Sequence, residues 1–132
     1  MRICFFDKNT DLTKRFAREA AKRNHLARCY LLDERTVLAD FLAHLSQGGD
    51  PLVVIGDFLG APVDEEVVER IMKTLSAVDP KTKFVVYSTI ARMLKLSVGQ
   101  ALIGMVQKTA VVMDIMEILL LFQNALPSSS PR

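Results

Sequence analysis

The stretch PLVVIGDFLG (Pro51–Gly60) decides the fold, because it is an uninterrupted apolar run that ends on a carboxylate. Its strand-like part, Leu52–Ile55, shows no alternation between apolar and polar residues. That pattern is typical of a parallel strand covered on both faces. An acid at the end of such a strand is a turn cap, an ion-pair partner or part of a site. The stretch therefore predicts a buried strand with Asp57 at its carboxyl end.

The same alternation of apolar runs and helical periodicity recurs along the chain. Further strands are predicted at Arg2–Phe6, Leu26–Leu32, Lys83–Thr89 and Ile103–Lys108. Helices are predicted at Asp11–Arg23, Arg35–Leu45, Val63–Val78, Arg92–Leu102 and Val111–Leu126, with Thr10 or Asp11 as the cap of the first. Right-handed crossovers then favour an α/β fold, a doubly wound five-stranded parallel sheet of order 2-1-3-4-5 in a flavodoxin-like three-layer sandwich.

Length and composition limit the function classes. The 132 residues suit one domain, expected over 1–126, with a disordered tail or linker over 127–132. A formal net charge of +2 gives no electrostatic reason to expect nucleic acid or an anionic membrane as a partner. The chain has no run of membrane-spanning length and no leader pattern. We therefore expect a soluble, cytoplasmic protein.

Several kinds of chemistry find no support in the sequence. Cys4 and Cys29 lie in apolar runs, which favours buried reduced thiols, and His25 and His44 lack ligand spacing. A glycine-rich phosphate loop after the first strand and a G-x-S-x-G elbow are both absent from the sequence. Because no nucleophile–base pair stands out, we expect that the protein is not an enzyme.

Polar side chains lie at the carboxyl ends of four of the predicted strands. Asp7, Asp57, Ser88 (with Thr89) and Lys108 would meet at one rim of a 2-1-3-4-5 sheet. Two carboxylates can hold a hard divalent cation, and a lysine can pair with a carboxylate or a phosphoryl oxygen. The structural alternative is that polar residues gather at strand ends wherever loops begin.

This arrangement resembles the receiver domain of two-component response regulators, from Arg2 to about Leu126. The resemblance implies that Asp57 is the phosphoacceptor and that Ser88, with Thr89 beside it, and Lys108 are switch residues. It also implies Mg²⁺ at Asp7 and Asp57, and a histidine kinase or phosphotransfer protein as the donor of the phosphoryl group in a phosphorelay.

Departures from the family pattern favour an atypical or pseudo-receiver. Lys8 stands where the family has a second acid, so we predict that its ammonium replaces the metal and weakens the case for Mg²⁺. Met105 stands at the aromatic switch position, and Thr109 replaces the proline after the lysine. The domain is therefore expected to act independently of phosphorylation. The alternatives are an ordinary phosphorylatable receiver, an interaction or dimerisation module of the same fold, and the N-terminal regulatory domain of a longer transcriptional regulator.

The last predicted helix has more apolar residues than one face can bury. We therefore predict a homodimer through this helix, with an interface at Ile115, Ile118, Leu119 and Phe122. A deeply packed helix is the alternative. Asp114 and Glu117 are expected to lie on its polar face.

Overall fold

A computed structural model describes residues 1–30, 50–57 and 63–126 of the chain. Five parallel strands form one sheet in the order β2-β1-β3-β4-β5, which confirms the predicted fold class and topology. The strands are β1 Arg2–Phe6, β2 Leu26–Tyr30, β3 Leu52–Ile55, β4 Lys83–Ser88 and β5 Leu102–Gln107. The helices of the described part are α1 Thr10–Lys22, α2 Glu65–Val78 and α3 Val111–Ala125. The predicted helix at 35–45 and the tail at 127–132 lie outside the described residues.

Apolar side chains cover both faces of the sheet, as the continuous apolar strands predicted. Along β1, Ile3 and Phe5 pack in one cluster with α1 and α3. Cys4 and Phe6 pack in the other cluster, with α2. Since successive strand residues point to opposite faces, each strand supplies both halves of the core.

The cap of α1 is Asn9, so the predicted caps at Thr10 and Asp11 were wrong. Asn9 is extended, with φ −95° and ψ 108°, and its side-chain oxygen accepts from the Leu12 N–H at 3.1 Å. The Asn9 N–H donates to Asp7 Oδ1 at 2.8 Å. This short link to the end of β1 starts the helix one residue earlier than predicted.

The prediction of a helix at 92–102 was also wrong. A short 3₁₀ turn, Ala91–Met93, follows β4, and no helix forms between it and β5. Leu94 is buried and Leu96 half-buried, whereas Lys95 and Ser97 are exposed. Apolar and polar residues therefore alternate with a period of two here, which suits extended backbone better than a helix.

Both cysteines of the described part are free thiols. Cys4 is buried, and burial raises its pKa well above the ordinary value; burial likewise raises the pKa of the half-buried Cys29 to about 11. They are therefore weak nucleophiles. Among the described residues, none of the helices has the length and apolar character that crossing a membrane requires.

Candidate functional site

The carboxyl ends of β1, β3, β4 and β5 bring the predicted site residues together. Asp7 and Asp57 are almost completely buried, with 0% and 1% of their surface exposed. Ser88 is buried beside them, and Lys108 reaches them from the end of β5. We call Asp7, Asp57, Ser88, Thr89 and Lys108 the rim cluster. The sheet order alone accounts for this convergence, because β1 and β3 are neighbours and β4 and β5 follow.

The ammonium of Lys108 lies between the two carboxylates. Its Nζ is 2.5 Å from Asp7 Oδ2 and 3.0 Å from Asp57 Oδ2, and only 13% of the side chain is exposed. Lys8, by contrast, is exposed, and the ion pairs of both carboxylates within the described part are with Lys108. The cation at the rim is therefore Lys108. Lys8 was predicted to replace the metal, but it is exposed and forms neither of these ion pairs.

The carboxylate of Asp57 has its acceptor positions filled. Its Oδ1 accepts from the Ser88 hydroxyl and from the Val63 N–H at 3.3 Å. Its Oδ2 accepts from the Thr89 N–H at 3.1 Å, the Thr89 hydroxyl at 3.3 Å and Lys108 Nζ at 3.0 Å. A carboxylate offers about four lone-pair sites. These donors therefore leave no lone pair of Asp57 directed at a further ligand.

Opposing effects act on the pKa of Asp57. Burial alone would raise the pKa, but hydrogen bonds from Ser88 and the Thr89 N–H, together with the Lys108 charge, outweigh burial and lower it. Hydrogen bonds and an opposite charge favour the ionised form of a carboxyl group. Asp57 is thus held as a carboxylate at neutral pH.

Gly56 makes room for Asp7, a role that was not predicted for this glycine. A Cβ atom at Gly56 would meet Asp7 Oδ2 and would lie 2.5 Å from the Phe6 carbonyl oxygen. The same Asp7 oxygen accepts from the Asp57 N–H at 3.1 Å. The glycine between the apolar run and Asp57 was the sequence pattern that could have indicated this close approach.

The donor set does not fit the Mg²⁺ that the resemblance implies. Two carboxylates are present, but each directs Oδ2 at the ammonium of Lys108. No group of three or more His, Cys, Asp or Glu residues suited to a metal ion occurs among residues 1–30, 50–57 and 63–126. A hard dication needs several oxygen ligands that are free to bind it. In this arrangement the Lys108 ammonium contacts one oxygen of each carboxylate that Mg²⁺ would use as a ligand.

The other predicted switch residues lie as follows. Thr89 is the second hydroxyl donor to Asp57, and its carbonyl oxygen accepts from the Gln107 side-chain amide. Met105 is half-buried and packs against the core cluster on the α2 face. Its side chain therefore contributes to the core on that face of the sheet.

The predicted interface residues on α3 were wrong, because they face the sheet. Ile115 and Ile118 have no exposed surface, and Phe122 is 8% exposed. Leu119 packs against the same cluster. The exposed apolar residues of α3 are Val112, Met113, Met116 and Leu120. The helix does have more apolar residues than its inner face buries, but the exposed ones are not the residues that were predicted.

Asp114 is not on the polar face of α3, contrary to prediction. It is 4% exposed and accepts from the Tyr87 hydroxyl at 2.6 Å, the Thr109 N–H at 2.8 Å and the Thr109 hydroxyl at 2.6 Å. Burial, and then the hydrogen bond to Asp114, raise the pKa of Tyr87 far above its usual value. An acid in the first turn of an otherwise apolar helix was the available sequence pattern. Glu117 is exposed, as predicted.

These features define the class of fold: a five-stranded parallel α/β sandwich of the CheY-like receiver type. Comparison with known proteins gave no matching family model and no matching curated protein. Solved structures do match. A response regulator receiver domain (CheY-like) from Methylobacillus flagellatus superposes with TM-score 0.70 and 16% identity, over 96% of this chain and 98% of that one.

Two further structures show the range of proteins with this fold. An orphan response regulator of H. pylori matches with TM-score 0.64 and 12% identity, over 92% of this chain and 96% of that one. A putative pilus assembly-related protein from Burkholderia pseudomallei matches with TM-score 0.63 and 10% identity, over 98% of this chain and 94% of that one. The likeness to all three is one of fold.

Proposed function

We propose that this chain is a receiver-like signalling domain that acts through protein contacts, independently of phosphorylation. In this proposal Asp57 occupies the phosphoacceptor position but serves as a structural acceptor in a closed carboxylate–ammonium cluster. The observation that carries the proposal is the position of Lys108, whose ammonium lies between Asp7 and Asp57 while further donors fill the acceptor sites of Asp57.

The charges around the rim cluster also support a domain that acts independently of phosphorylation. Asp7 and Asp57 contribute two negative charges, and Lys108 neutralises one of them inside the cluster. The exposed Lys8 adds a positive charge where the resemblance implies an acid. Replacement of an acid by a lysine changes the local charge by two units and opposes the approach of a dication.

A specific observation favours a second candidate, an ordinary phosphorylatable receiver. Ser88 and Lys108 both contact Asp57, and these are the residues from which the resemblance implies a response to a phosphoryl group. A histidine kinase or phosphotransfer protein would then be the donor. This candidate requires Lys108 to leave Asp7 so that Mg²⁺ can bind.

The proposed partner surface is the exposed apolar stripe of α3, defined as Met113, Met116 and Leu120. These residues are 71%, 55% and 55% exposed and have the i, i+3, i+7 spacing of a helix–helix seam. Neighbouring Val112 is 47% exposed and extends the stripe. We propose that a second copy of the chain covers it, which gives a homodimer through α3.

The deciding experiment compares the native chain with the variant Lys8→Asp, which restores an acid at the departure from the family pattern. Each is incubated with Mg²⁺ and acetyl phosphate, and the intact protein mass is measured. We expect no phosphoryl adduct on the native chain and none on Lys8→Asp, because Lys108 still lies between Asp7 and Asp57 in that variant. Asp57→Asn is the control that assigns any adduct to Asp57. An adduct at Asp57 of the native chain would favour the second candidate and contradict the proposal.

A further inference from the structure

A ring of contacts joins the rim cluster to the first turn of α3. The Tyr87 hydroxyl donates to Asp114 Oδ2 at 2.6 Å. Asp114 in turn accepts from both the N–H and the hydroxyl of Thr109. Thr109 is bonded directly to Lys108, whose ammonium lies 5.6 Å from the centroid of the Tyr87 ring. The path thus returns to Tyr87 and forms a closed loop of four residues: Tyr87, Asp114, Thr109 and Lys108.

Asp114 is held in place by hydrogen bonds rather than by an opposite charge. It is 4% exposed, and no ion pair of Asp114 occurs in the part of the chain that the structure describes. A buried carboxylate is costly unless its oxygens are satisfied, and donors satisfy it here. Its position in the first turn also places its charge near the positive end of the α3 dipole.

Lys108 is fixed from two sides. Its own N–H donates to the Ser88 carbonyl oxygen at 3.0 Å, which extends the β4–β5 pairing to this residue. The following peptide N–H, that of Thr109, is held by Asp114. The cap residue of α3, Ala110, supplies no side-chain cap hydrogen bond. Asp114 is therefore the side chain that fastens the turn between Lys108 and the helix.

We infer that Asp114 and Tyr87 are positioning residues, which place the Lys108 ammonium between the two carboxylates of the rim cluster. The positioning of Lys108 does not depend on the proposed function; only the signalling consequence of that positioning does. If the rim cluster has a signalling role, a displacement of Lys108 shifts the turn that begins α3 and so reaches the apolar stripe on that helix.

A double-mutant cycle tests the inference. Asp114→Asn and Lys108→Met are made singly and together, and the unfolding equilibrium constant is measured in urea. If Asp114 acts through Lys108, the two effects are not additive, and they differ from additivity by at least about threefold in that constant. The matched control cycle pairs Glu117→Gln with Lys108→Met, because Glu117 is an exposed acid on the same helix. We expect this cycle to be additive.

A spectroscopic readout separates positioning from simple capping. We expect the nitrogen-detected NMR signal of the Lys108 ammonium to shift or broaden in Asp114→Asn and to stay unchanged in Glu117→Gln. Should Asp114→Asn fail to fold, Tyr87→Phe replaces it in both measurements, since it removes the hydroxyl and keeps the ring. Additive cycles together with an unchanged ammonium signal would overturn the inference. Neither measurement uses phosphoryl donors or oligomerisation, so failure here is distinct from failure of the proposed function.

Discussion

At the scale of single residues, Lys108 decides the character of the site. One ammonium contacts two carboxylates that are 0% and 1% exposed. Removal of one partner from a buried ion pair costs far more than loss of an exposed pair, because a charge is left without compensation. Loss of any one charged member of the cluster is therefore expected to destabilise the fold, because it leaves a buried charge without a partner.

Replacement of Lys108 by Met should destabilise the protein by about 3 kcal/mol, because it leaves Asp7 and Asp57 facing each other unpaired. Urea denaturation at neutral pH measures the change in the free energy of unfolding. Lys8→Met is the matched control, since Lys8 is exposed, and its effect should stay within about 0.5 kcal/mol. Equal effects of the two variants would contradict the assignment of Lys108 as the rim cation.

Gly56→Ala should lower the free energy of unfolding by about 1–3 kcal/mol, because the added Cβ meets Asp7 Oδ2 and the Phe6 carbonyl oxygen. Gly99→Ala is the control, since among the described residues no atom beyond its two chain neighbours lies within 4 Å of the Cβ that it adds. That variant should be neutral or more stable by up to about 1 kcal/mol. A Gly56→Ala protein as stable as the native chain would show that Asp7 can move away freely.

The rim residues could be predicted from the sequence because strand ends and sheet order determine where they lie. Each of the four residues lies at the end of a strand or just after it, and their side chains converge; they are Asp7, Asp57, Ser88 and Lys108. Which lysine enters the cluster could not be predicted, since that depends on side-chain direction rather than on position in the chain. The sequence placed Lys8 and Lys108 after two different strands, β1 and β5, and the structure shows that Lys108 is the one that contacts the carboxylates.

At the scale of helices and strands, local competition decided where the predictions failed. Asn9 competes with its neighbours for the cap of α1 and is favoured because its N–H also reaches Asp7. Between β4 and β5, Leu94 and Leu96 turn inward while Lys95 is exposed, and this two-residue alternation outweighed the weak helical periodicity. Where a helix begins, or whether it forms at all, depends here on tertiary contacts that helix propensity does not take into account.

Asn9→Ala should cost about 1 kcal/mol of stability, because the Leu12 N–H loses its acceptor. Thr10→Ala, at the first position of the helix, should change stability by less than about 0.5 kcal/mol. Thermal unfolding of the two variants side by side provides the measurement. The reverse ranking would restore Thr10 as the cap.

The α3 stripe has its own prediction. Met116→Glu places a charge at the centre of the stripe and should convert a dimer to a 14.7 kDa monomer in sedimentation experiments. Val78→Glu, at the end of α2, changes a residue of similar exposure, 53%, and should leave the dimer intact. A native chain that sediments as a monomer at micromolar concentration would remove the homodimer proposal.

At the scale of the whole molecule, the sheet order was predictable because each strand is a continuous apolar run and crossovers are right-handed. The observed order β2-β1-β3-β4-β5 agrees, and both faces of the sheet are covered. The phase of α3 was not predictable, since nearly every position of IMEILLLF is apolar and the pattern alone cannot assign an inner face. The role of Asp114 was missed for the related reason that its partner Tyr87 lies on β4, far away in the sequence.

The most direct test of the central claim is an amide NMR titration of the native chain, first with Mg²⁺ and then with beryllofluoride as a phosphoryl mimic. The rim cluster closed by Lys108 predicts a flat titration at Asp7, Asp57, Ser88 and Lys108 in a well-dispersed spectrum. Saturable shifts at these residues that spread into α3 would show a metal-dependent switch and contradict the phosphorylation-independent account.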